Sequence, residues 1–331
     1  MPARAEESLQ ESFARALEAM LAADATSDEL WQVLRAFVAR HKVEAFRRAQ
    51  DNGVHLLPVH TYSPVPDTRS LTDLDFRERH DFLTRARVDV AAMLEFIASA
   101  ARWAGETADI PAEPQPVDAF YWENTFFGEL DALTYYGVLR ERSPRLVVEI
   151  GGGYSTLLAA RAAALNAATE LVCVDPRPPA FLKADVSGLS RLLPVPVQRL
   201  PPEFFDDLGS DDVLFVDSSH VSKIGSDVNY LVLDVLPRLR EGVLVHFHDI
   251  FLPSEYPRAW VEGLAFLNEQ YLLAAFLLAN DRFDVLAANH HLNRAEQAAL
   301  ERLFGRSFQP QPRVEPSSLW LRVGRAAAAA Q

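Results

Sequence analysis

The chain has 331 residues, of which 49% are hydrophobic, enough for one large domain or for one domain with an added helical part. Its formal net charge of -14 argues against nucleic acid as the main partner, because phosphate backbones select basic surfaces. Cys173 is the single cysteine, so no intrachain disulfide can form, and the chain shows neither a signal peptide nor an apolar run that could span a membrane. We therefore expect a cytoplasmic protein that acts on a small molecule.

The N-terminal part of the chain is predicted to be helical. Apolar residues recur at helical spacing over 9–21 and 30–38, and a further helix is expected from about Asp81 to Trp103. A proline-containing loop between these helices carries His60 and Tyr62, and we interpret it as a candidate lid.

The sequence suggests three segments. Residues 1–116 form a helical extension that ends in a proline-rich linker, residues 117–324 form the main domain, and residues 325–331 form a frayed tail. The N-terminal helices could serve as a lid over a site or as a dimer surface, so a homo-oligomer is a possible state of the protein.

From Leu146 onward, apolar β-branched runs alternate with helical patterns. Strands are predicted at 146–150, 171–175, 194–198, 213–217, 243–248, 283–288 and 319–323. One helix is predicted from the apolar stripe between Val228 and Leu239. Continuous apolar strands separated by helices indicate an α/β fold with a doubly wound, mostly parallel seven-stranded sheet of the Rossmann-like type.

Polar residues follow the predicted strands at the points where the strands end. These residues are Glu149, Asp175, Asp217, His248 and Asp249. Because ligands of such sheets bind at the carboxyl ends of the strands, we expect these side chains to share one site.

The first of these strands ends in Glu149 and Ile150 and is followed by three glycines, Gly151 to Gly153. A strand, a glycine turn and a helix start are typical of a nucleotide-like cofactor site. A carboxylate at position 149 does not help to bind a pyrophosphate, but it can pair with an ammonium group. S-adenosylmethionine carries such a group. A dinucleotide motif would place a third glycine where Thr156 stands, which weakens the alternative of NAD. Asp175 lies where a carboxylate can accept hydrogen bonds from both hydroxyls of a ribose.

These motifs resemble the class I S-adenosylmethionine-dependent methyltransferases over residues 121–323. The stretch Asp217-Ser218-Ser219-His220, the segment 248–253 and the segments 124–128 and 62–67 are similar to a bacterial branch of sugar and natural-product O-methyltransferases. The resemblance implies a cofactor site made by Glu149, Gly151, Gly153, Tyr154, Ser155, Thr156, Asp175 and Asp217.

The resemblance also implies catalytic roles at the ends of the fourth and fifth strands. Asp217 and Asp249 would bind a divalent metal such as Mg²⁺, and His220 would be the general base, with His248 as the second choice. The branch carries a further acid after the second aspartate, where this chain has Ile250, so two carboxylate ligands are predicted. His246 is interpreted as a hydrogen-bonded core residue, and His290 and His291 as loop residues.

The predicted function is methyl transfer from S-adenosylmethionine to an oxygen of a small polar acceptor, such as a sugar or a secondary metabolite. A non-catalytic cofactor- or partner-binding module of the same fold is the first alternative, and an NAD-dependent oxidoreductase is the second. No residue identifies the acceptor or distinguishes O- from N- or C-methylation.

Overall fold

The computed structural model describes residues 28–71, 81–86, 88–115, 119–166, 168–308 and 314–324. The chain divides into two compact units, one ending at Asp75 and the other beginning at Phe76. The helical spacing over 9–21 and the predicted tail at 325–331 lie outside the described residues.

The division between the units precedes the boundary at 116 that the sequence suggested. The reason is the helix Val90–Ala101, whose buried Met93, Phe96 and Ile97 belong to the same hydrophobic core as the central sheet. That helix therefore packs in the core of the second unit, and the segment boundaries suggested by the sequence stay a prediction.

The first unit contains two helices, α1 (Asp28–Arg40) and α2 (Lys42–Asp51), and a short 3-10 helix, Thr68–Leu71. Ala45 and Ala49 are buried on α2. The loop of residues 52–67 carries His60 and Tyr62, and the Tyr62 side chain is 92% exposed. The proposed lid role of this loop stays a prediction.

The second unit is an α/β domain. Its described helices are α3 (Asp81–Arg85), α4 (Val90–Ala101), α5 (Glu129–Arg142), α6 (Tyr154–Leu165), α7 (Asp227–Asn229), α8 (Arg258–Glu262), α9 (Glu269–Leu278), α10 (Asn289–Ala295) and α11 (Gln297–Phe304). Its described strands are β1 (Leu146–Ile150), β2 (Glu170–Val174), β3 (Arg191–Leu193), β4 (Val213–Val216), β5 (Leu244–Phe247), β6 (Phe283–Ala288) and β7 (Leu319–Val323).

The seven strands form one sheet in the order β3-β2-β1-β4-β5-β7-β6. The first five are parallel, and β7 runs antiparallel to both β5 and β6. Every residue of β1, β4 and β5 is buried, which is expected of a parallel sheet that is covered on both faces. The predicted fold class is confirmed.

Three predicted elements differ in detail. The third strand lies at Arg191–Leu193 and not at 194–198, because Pro194 and Pro196 cannot donate to the ladder. The single helix expected from Asp81 to Trp103 is two helices, since Asp89 caps α4 by accepting hydrogen bonds from the backbone N–H groups of Ala91 and Ala92.

The stripe from Val228 to Leu239 is buried as predicted, but it spans several kinds of helix. The short α7 continues as a π-helix, Tyr230–Val235, and then as a 3-10 helix, Leu236–Arg238. Among the described residues, no helix is both long and apolar enough to cross a membrane.

The α4 and α5 helices approach each other closely at Gly137. A Cβ atom at this position would lie 2.3 Å from the carbonyl oxygen of Ala100, a contact that only backbone movement could relieve. We expect Gly137→Ala to lower the free energy of unfolding by about 1–3 kcal/mol, because overpacking outweighs the gain in helix propensity. Denaturant unfolding measures this change. Gly105→Ala, with no atom within 4 Å of the added methyl, is the matched control, and an equal loss in both variants would contradict the packing argument.

Candidate active site

The turn after β1 packs directly against the residue that follows β4. Gly151 has a φ of +85°, which favours glycine, and a Cβ atom there would lie 2.0 Å from the carbonyl oxygen of Asp217. The Asp217 N–H donates to the Ile150 carbonyl at 2.8 Å. The glycine turn and Asp217 therefore adjoin at the point where β2 and β4 flank β1, the position where such sheets bind ligands.

Glu149 is fully buried beneath this turn. Its Oε1 atom accepts hydrogen bonds from Ser155 Oγ at 2.5 Å and from Thr156 Oγ1 at 3.1 Å. Its Oε2 atom is buried and has no hydrogen-bond partner among the described residues. Burial penalises the charged form and raises the pKa of Glu149 to about 8, although the two hydroxyl groups oppose the shift. The turn thus contains a buried carboxyl group that lacks a cationic partner.

Asp175 follows β2 and is tied to the same turn. Its Oδ2 atom accepts a hydrogen bond from the Gly152 N–H at 2.8 Å, and its Oδ1 atom accepts one from the Arg177 N–H at 2.6 Å. The carboxylate is partly exposed. Because each carboxylate oxygen can accept more than one hydrogen bond, this orientation leaves Asp175 able to bind hydroxyl donors.

Tyr154 begins α6 within a group of aromatic side chains. Its hydroxyl lies 3.1 Å from that of Tyr121, and its ring stacks on Phe126 at 5.8 Å between centroids. Phe126 is 71% exposed, so it is not part of the core. An exposed aromatic ring beside the glycine turn offers a flat apolar surface to a ligand.

Asp217, His220 and Asp249 meet at the carboxyl ends of β4 and β5. The Nε2 atom of His220 lies 3.1 Å from Asp217 Oδ1 and 3.4 Å from Asp249 Oδ2. His220 and Asp249 both have a φ of 57°, which is uncommon for residues other than glycine. Such backbone conformations cluster at functional sites, where the surrounding structure holds them.

Glu269 lies behind the His220 ring and was missed by sequence reasoning. The His220 Nδ1–H donates to Glu269 Oε2 at 2.8 Å, and Ser218 Oγ donates to Glu269 Oε1 at 2.8 Å. Glu269 is only 1% exposed and begins α9, where an acidic residue looks like an ordinary helix start. The hydrogen bond to Glu269 holds the His220 ring with its Nε2 atom toward Asp217 and Asp249.

His248 lies on the other side of the two aspartates. Its Nδ1 atom is 3.8 Å from Asp217 Oδ1 and 3.5 Å from Asp249 Oδ1. Its Nε2 atom lies 3.6 Å from Oδ2 of Asp131, a fully buried residue of α5 that the sequence analysis also missed. Within the described ranges, Asp217, His248 and Asp249 form a group whose ligand atoms lie close enough together to hold a metal ion.

The charges of this cluster depend on one another. Burial opposes the charge of Asp217, but its interactions with His220 and His248 outweigh burial and hold the pKa of the carboxyl well below its ordinary value. Burial also opposes the imidazolium of His220, yet Asp217 and Glu269 raise the pKa of this ring well above its usual range. For His248, burial is again outweighed, here by Asp249 and Asp131, and its pKa is raised.

The remaining histidines lie apart from this cluster of charges. His246 is fully buried, its Nε2 atom is 2.6 Å from Ser318 Oγ, and its ring stacks on Phe215, so it is a hydrogen-bonded core residue as predicted. Burial lowers the pKa of His246 to about 3. His290 and His291, expected in a loop, are instead buried in α10.

Comparisons with known proteins find similarity to one family model and to one curated protein. A family model described as "Methyltransferase domain" matches residues 148–250. An uncharacterized protein of Archaeoglobus fulgidus is 28% identical over 169 residues, which cover 46% of this chain and 72% of that protein.

Two solved structures illustrate the structural similarity. The O-methyltransferase TomG of Streptomyces achromogenes, in complex with SAM, is 16% identical and has a TM-score of 0.35, covering 78% of this chain and 96% of TomG. An O-methyltransferase of Bacillus cereus, in complex with SAH, is 13% identical and has a TM-score of 0.35. The match covers 78% of this chain and 96% of that protein.

The matched residues contain the last three residues of β1, the glycine turn, β4 and both aspartates of the cluster. The sheet is seven-stranded and mostly parallel, as the alternation of apolar runs and helical patterns predicted. The chain therefore carries a match to a methyltransferase domain over residues 148–250, within an α/β fold whose sheet is mostly parallel.

Proposed function

We propose that the chain transfers the methyl group of S-adenosylmethionine to a hydroxyl oxygen of a small polar acceptor, a sugar or a secondary metabolite. The observation that carries this proposal is the position of His220, whose ring is held by Glu269 and faces two carboxylates beside the glycine turn. A hydroxyl group is a poor nucleophile until a base takes its proton, and this arrangement supplies such a base.

The glycine turn would hold the donor. Glu149 Oε2 has no hydrogen-bond partner in the part of the chain that the structure describes, and the ammonium group of S-adenosylmethionine would supply one. Asp175 would accept hydrogen bonds from the ribose hydroxyls. Gly151 and Gly153 allow the donor to approach the backbone, while Tyr154, Ser155 and Thr156 would line the methionine end, in part through Glu149.

His220 would act as general base in an in-line displacement. As the acceptor oxygen forms a bond to the methyl carbon, the carbon–sulfur bond breaks and its electron pair stays on sulfur. The hydroxyl proton passes to Nε2 of His220, while Nδ1 continues to donate to Glu269. Because the reaction needs oxygen, carbon and sulfur in line, positioning of the two substrates supplies much of the rate.

Asp217 and Asp249 would hold a divalent ion next to this base. The donor set fits an ion, because two carboxylates face the buried Nδ1 atom of His248, which has no hydrogen-bond partner among the described residues. When bound, such an ion supplies a positive charge that lowers the pKa of a coordinated hydroxyl. Asp217 also adjoins the glycine turn, so it would link the donor and the acceptor sides of the site.

Two measurements on the full chain test this function. We expect calorimetry to detect binding of S-adenosylmethionine, and we expect a methyl-labelled donor to label hydroxylated small molecules when a panel of sugars and secondary metabolites is supplied. Digesting the labelled product and locating the label on oxygen tests the acceptor atom. Donor binding with no transfer across the panel would favour a binding module, and label on nitrogen or carbon would contradict O-methylation.

A further inference from the structure

His248 has an unusual environment for a buried histidine. The residue is 3% exposed, and its Nδ1 atom is buried without a hydrogen-bond partner among the described residues. That atom faces Oδ1 of Asp217 at 3.8 Å and Oδ1 of Asp249 at 3.5 Å, beyond hydrogen-bond distance. Buried polar atoms are rarely left unpaired, so an additional group between these three atoms would explain the arrangement.

The other ring nitrogen of His248 has partners. Ser317 Oγ lies 3.4 Å from Nε2 and donates to Asp249 Oδ1 at 3.1 Å. A serine hydroxyl that gives its proton to Asp249 can only accept from His248, so the Nε2 atom is the donor. In the neutral ring, the lone pair on Nδ1 then faces the two aspartates.

Asp131 supports this orientation of the ring from behind. Its Oδ2 atom lies 3.6 Å from His248 Nε2. Its two oxygens accept hydrogen bonds from the backbone N–H groups of Ser317 and Ser318 and from the Asn289 side chain. A carboxylate behind the distal ring nitrogen is common for histidines that bind metals, because it sets the tautomer and the ring orientation.

The spacing of the three facing atoms suits a small cation. Metal–ligand distances to nitrogen and carboxylate oxygen are about 2.1 Å, so two ligands of one ion lie at most about 4.2 Å apart. The Nδ1 atom of His248 is within that limit of one oxygen of each carboxylate.

We infer that His248 is the third ligand of the ion held by Asp217 and Asp249, and that it makes the site select a transition metal over Mg²⁺. Imidazole nitrogen suits Zn²⁺, Fe²⁺, Co²⁺ and Ni²⁺, whereas Mg²⁺ prefers oxygen ligands and retains its water. The inference rests on the proposed function for the presence of an ion, and it adds the ligand and the class of metal. Asp131 is then a positioning residue that acts through His248.

Metal titrations of the chelator-treated full chain test this inference. Calorimetry with Co²⁺ and with Mg²⁺ measures the preference, and the d–d absorption of Co²⁺ reports a nitrogen ligand without any measurement of activity. We expect Co²⁺ to bind one site at least about tenfold more tightly than Mg²⁺. Equal affinities of the two ions, or no binding of either, would overturn the inference.

Two variants locate the nitrogen ligand. His248→Gln is expected to remove the preference for Co²⁺ and to change its absorption, while Glu170→Gln, at the opposite end of β2 from the cluster, leaves both as in the native chain. If His248→Gln does not fold, Asp131→Asn keeps the ring and is expected to weaken Co²⁺ binding by about 10- to 100-fold. Unchanged Co²⁺ affinity in folded variants would show that a proton and not a metal lies at Nδ1.

The outcome can be separated from that of the proposed function. Binding of S-adenosylmethionine and transfer of its methyl group are measured on the same preparations. Methyl transfer together with equal affinities for Co²⁺ and Mg²⁺ would reject the inference alone. Selective Co²⁺ binding in a chain that binds no S-adenosylmethionine would reject the proposed function and retain the metal site.

Discussion

Replacing His220 with alanine is expected to lower the rate of methyl transfer by about 10²- to 10⁴-fold, the usual contribution of a positioned general base. The Nε2 atom of this ring lies 3.1 Å from Asp217, next to the glycine turn, so it is placed to accept the proton of a bound hydroxyl. The His220 side chain is 13% exposed, whereas His246 and His248 are buried.

Single-turnover kinetics with saturating donor and acceptor measure the effect on chemistry, and calorimetry measures donor affinity separately. We expect the affinity for S-adenosylmethionine to stay within about threefold of the native value, because His220 contacts the acceptor side. Glu170→Ala, at the opposite end of β2 from the site, is the control. A native rate in His220→Ala would remove this residue from the role of base.

Glu269→Gln tests whether His220 depends on the carboxylate behind it. The native carboxylate accepts the Nδ1–H at 2.8 Å and raises the pKa of the ring. Loss of that negative charge lowers the pKa of His220, so the base form persists to lower pH. The acidic limb of the pH–rate profile should therefore move to lower pH, a change that a merely structural residue would not produce.

Much of the site could be predicted from the sequence because its residues lie next to strands. Glu149, Asp175, Asp217 and Asp249 each lie at the end of an apolar β-branched run or just after it, and parallel strands bring such ends to one edge. The glycine turn could also be predicted from the sequence, because the close approach of Gly151 to Asp217 leaves no space for a side chain at position 151.

The supporting carboxylates could not be predicted in the same way. Glu269 and Asp131 both lie in the first turn of a helix, where acidic residues are common for reasons of helix polarity alone. Glu269 is 49 residues from His220 along the chain, and Asp131 contacts Ser317 across 186 residues. Only the folded sheet brings these groups together, and no local spacing carries that information.

The role that we propose for His248 could be predicted only in part, for a different reason. The alternation of His246 and His248 on β5 correctly indicated that both share a face of the sheet. Which of them meets a carboxylate depends on where the strand ends, and β5 ends at Phe247, one residue before His248. The resemblance implies only carboxylates as metal ligands and gives His248 only the role of a base, so it does not indicate the nitrogen ligand that we propose.

Replacing Glu149 with glutamine is expected to weaken binding of S-adenosylmethionine by about 10- to 100-fold, since a hydrogen bond to a charged group contributes about 1.5–3 kcal/mol. The native carboxyl has a pKa of about 8 in the free protein because it is buried, and it must ionise to pair with the ammonium group. Donor binding should therefore release a proton below that pH, and affinity should fall about tenfold for each pH unit below 8. Above about pH 8 the donor amine loses its own proton, so affinity should be greatest near there.

Calorimetry across this pH range, in buffers of different ionisation enthalpy, measures both the affinity and the proton released. Glu149→Gln should abolish the release and flatten the affinity below pH 8, whereas Glu170→Gln, at the opposite end of the neighbouring strand, should change neither. Unfolding of the variant would not be the cause of such a result. Folding raises the pKa of the Glu149 carboxyl, so this group destabilises the native state as the pH rises from the pKa of the unfolded chain toward 8. Glutamine removes that penalty and can still accept from Ser155 and Thr156, so the variant should be at least as stable near neutral pH. A glutamine variant that binds the donor with native affinity and native pH dependence would show that the buried carboxylate does not bind the ammonium group.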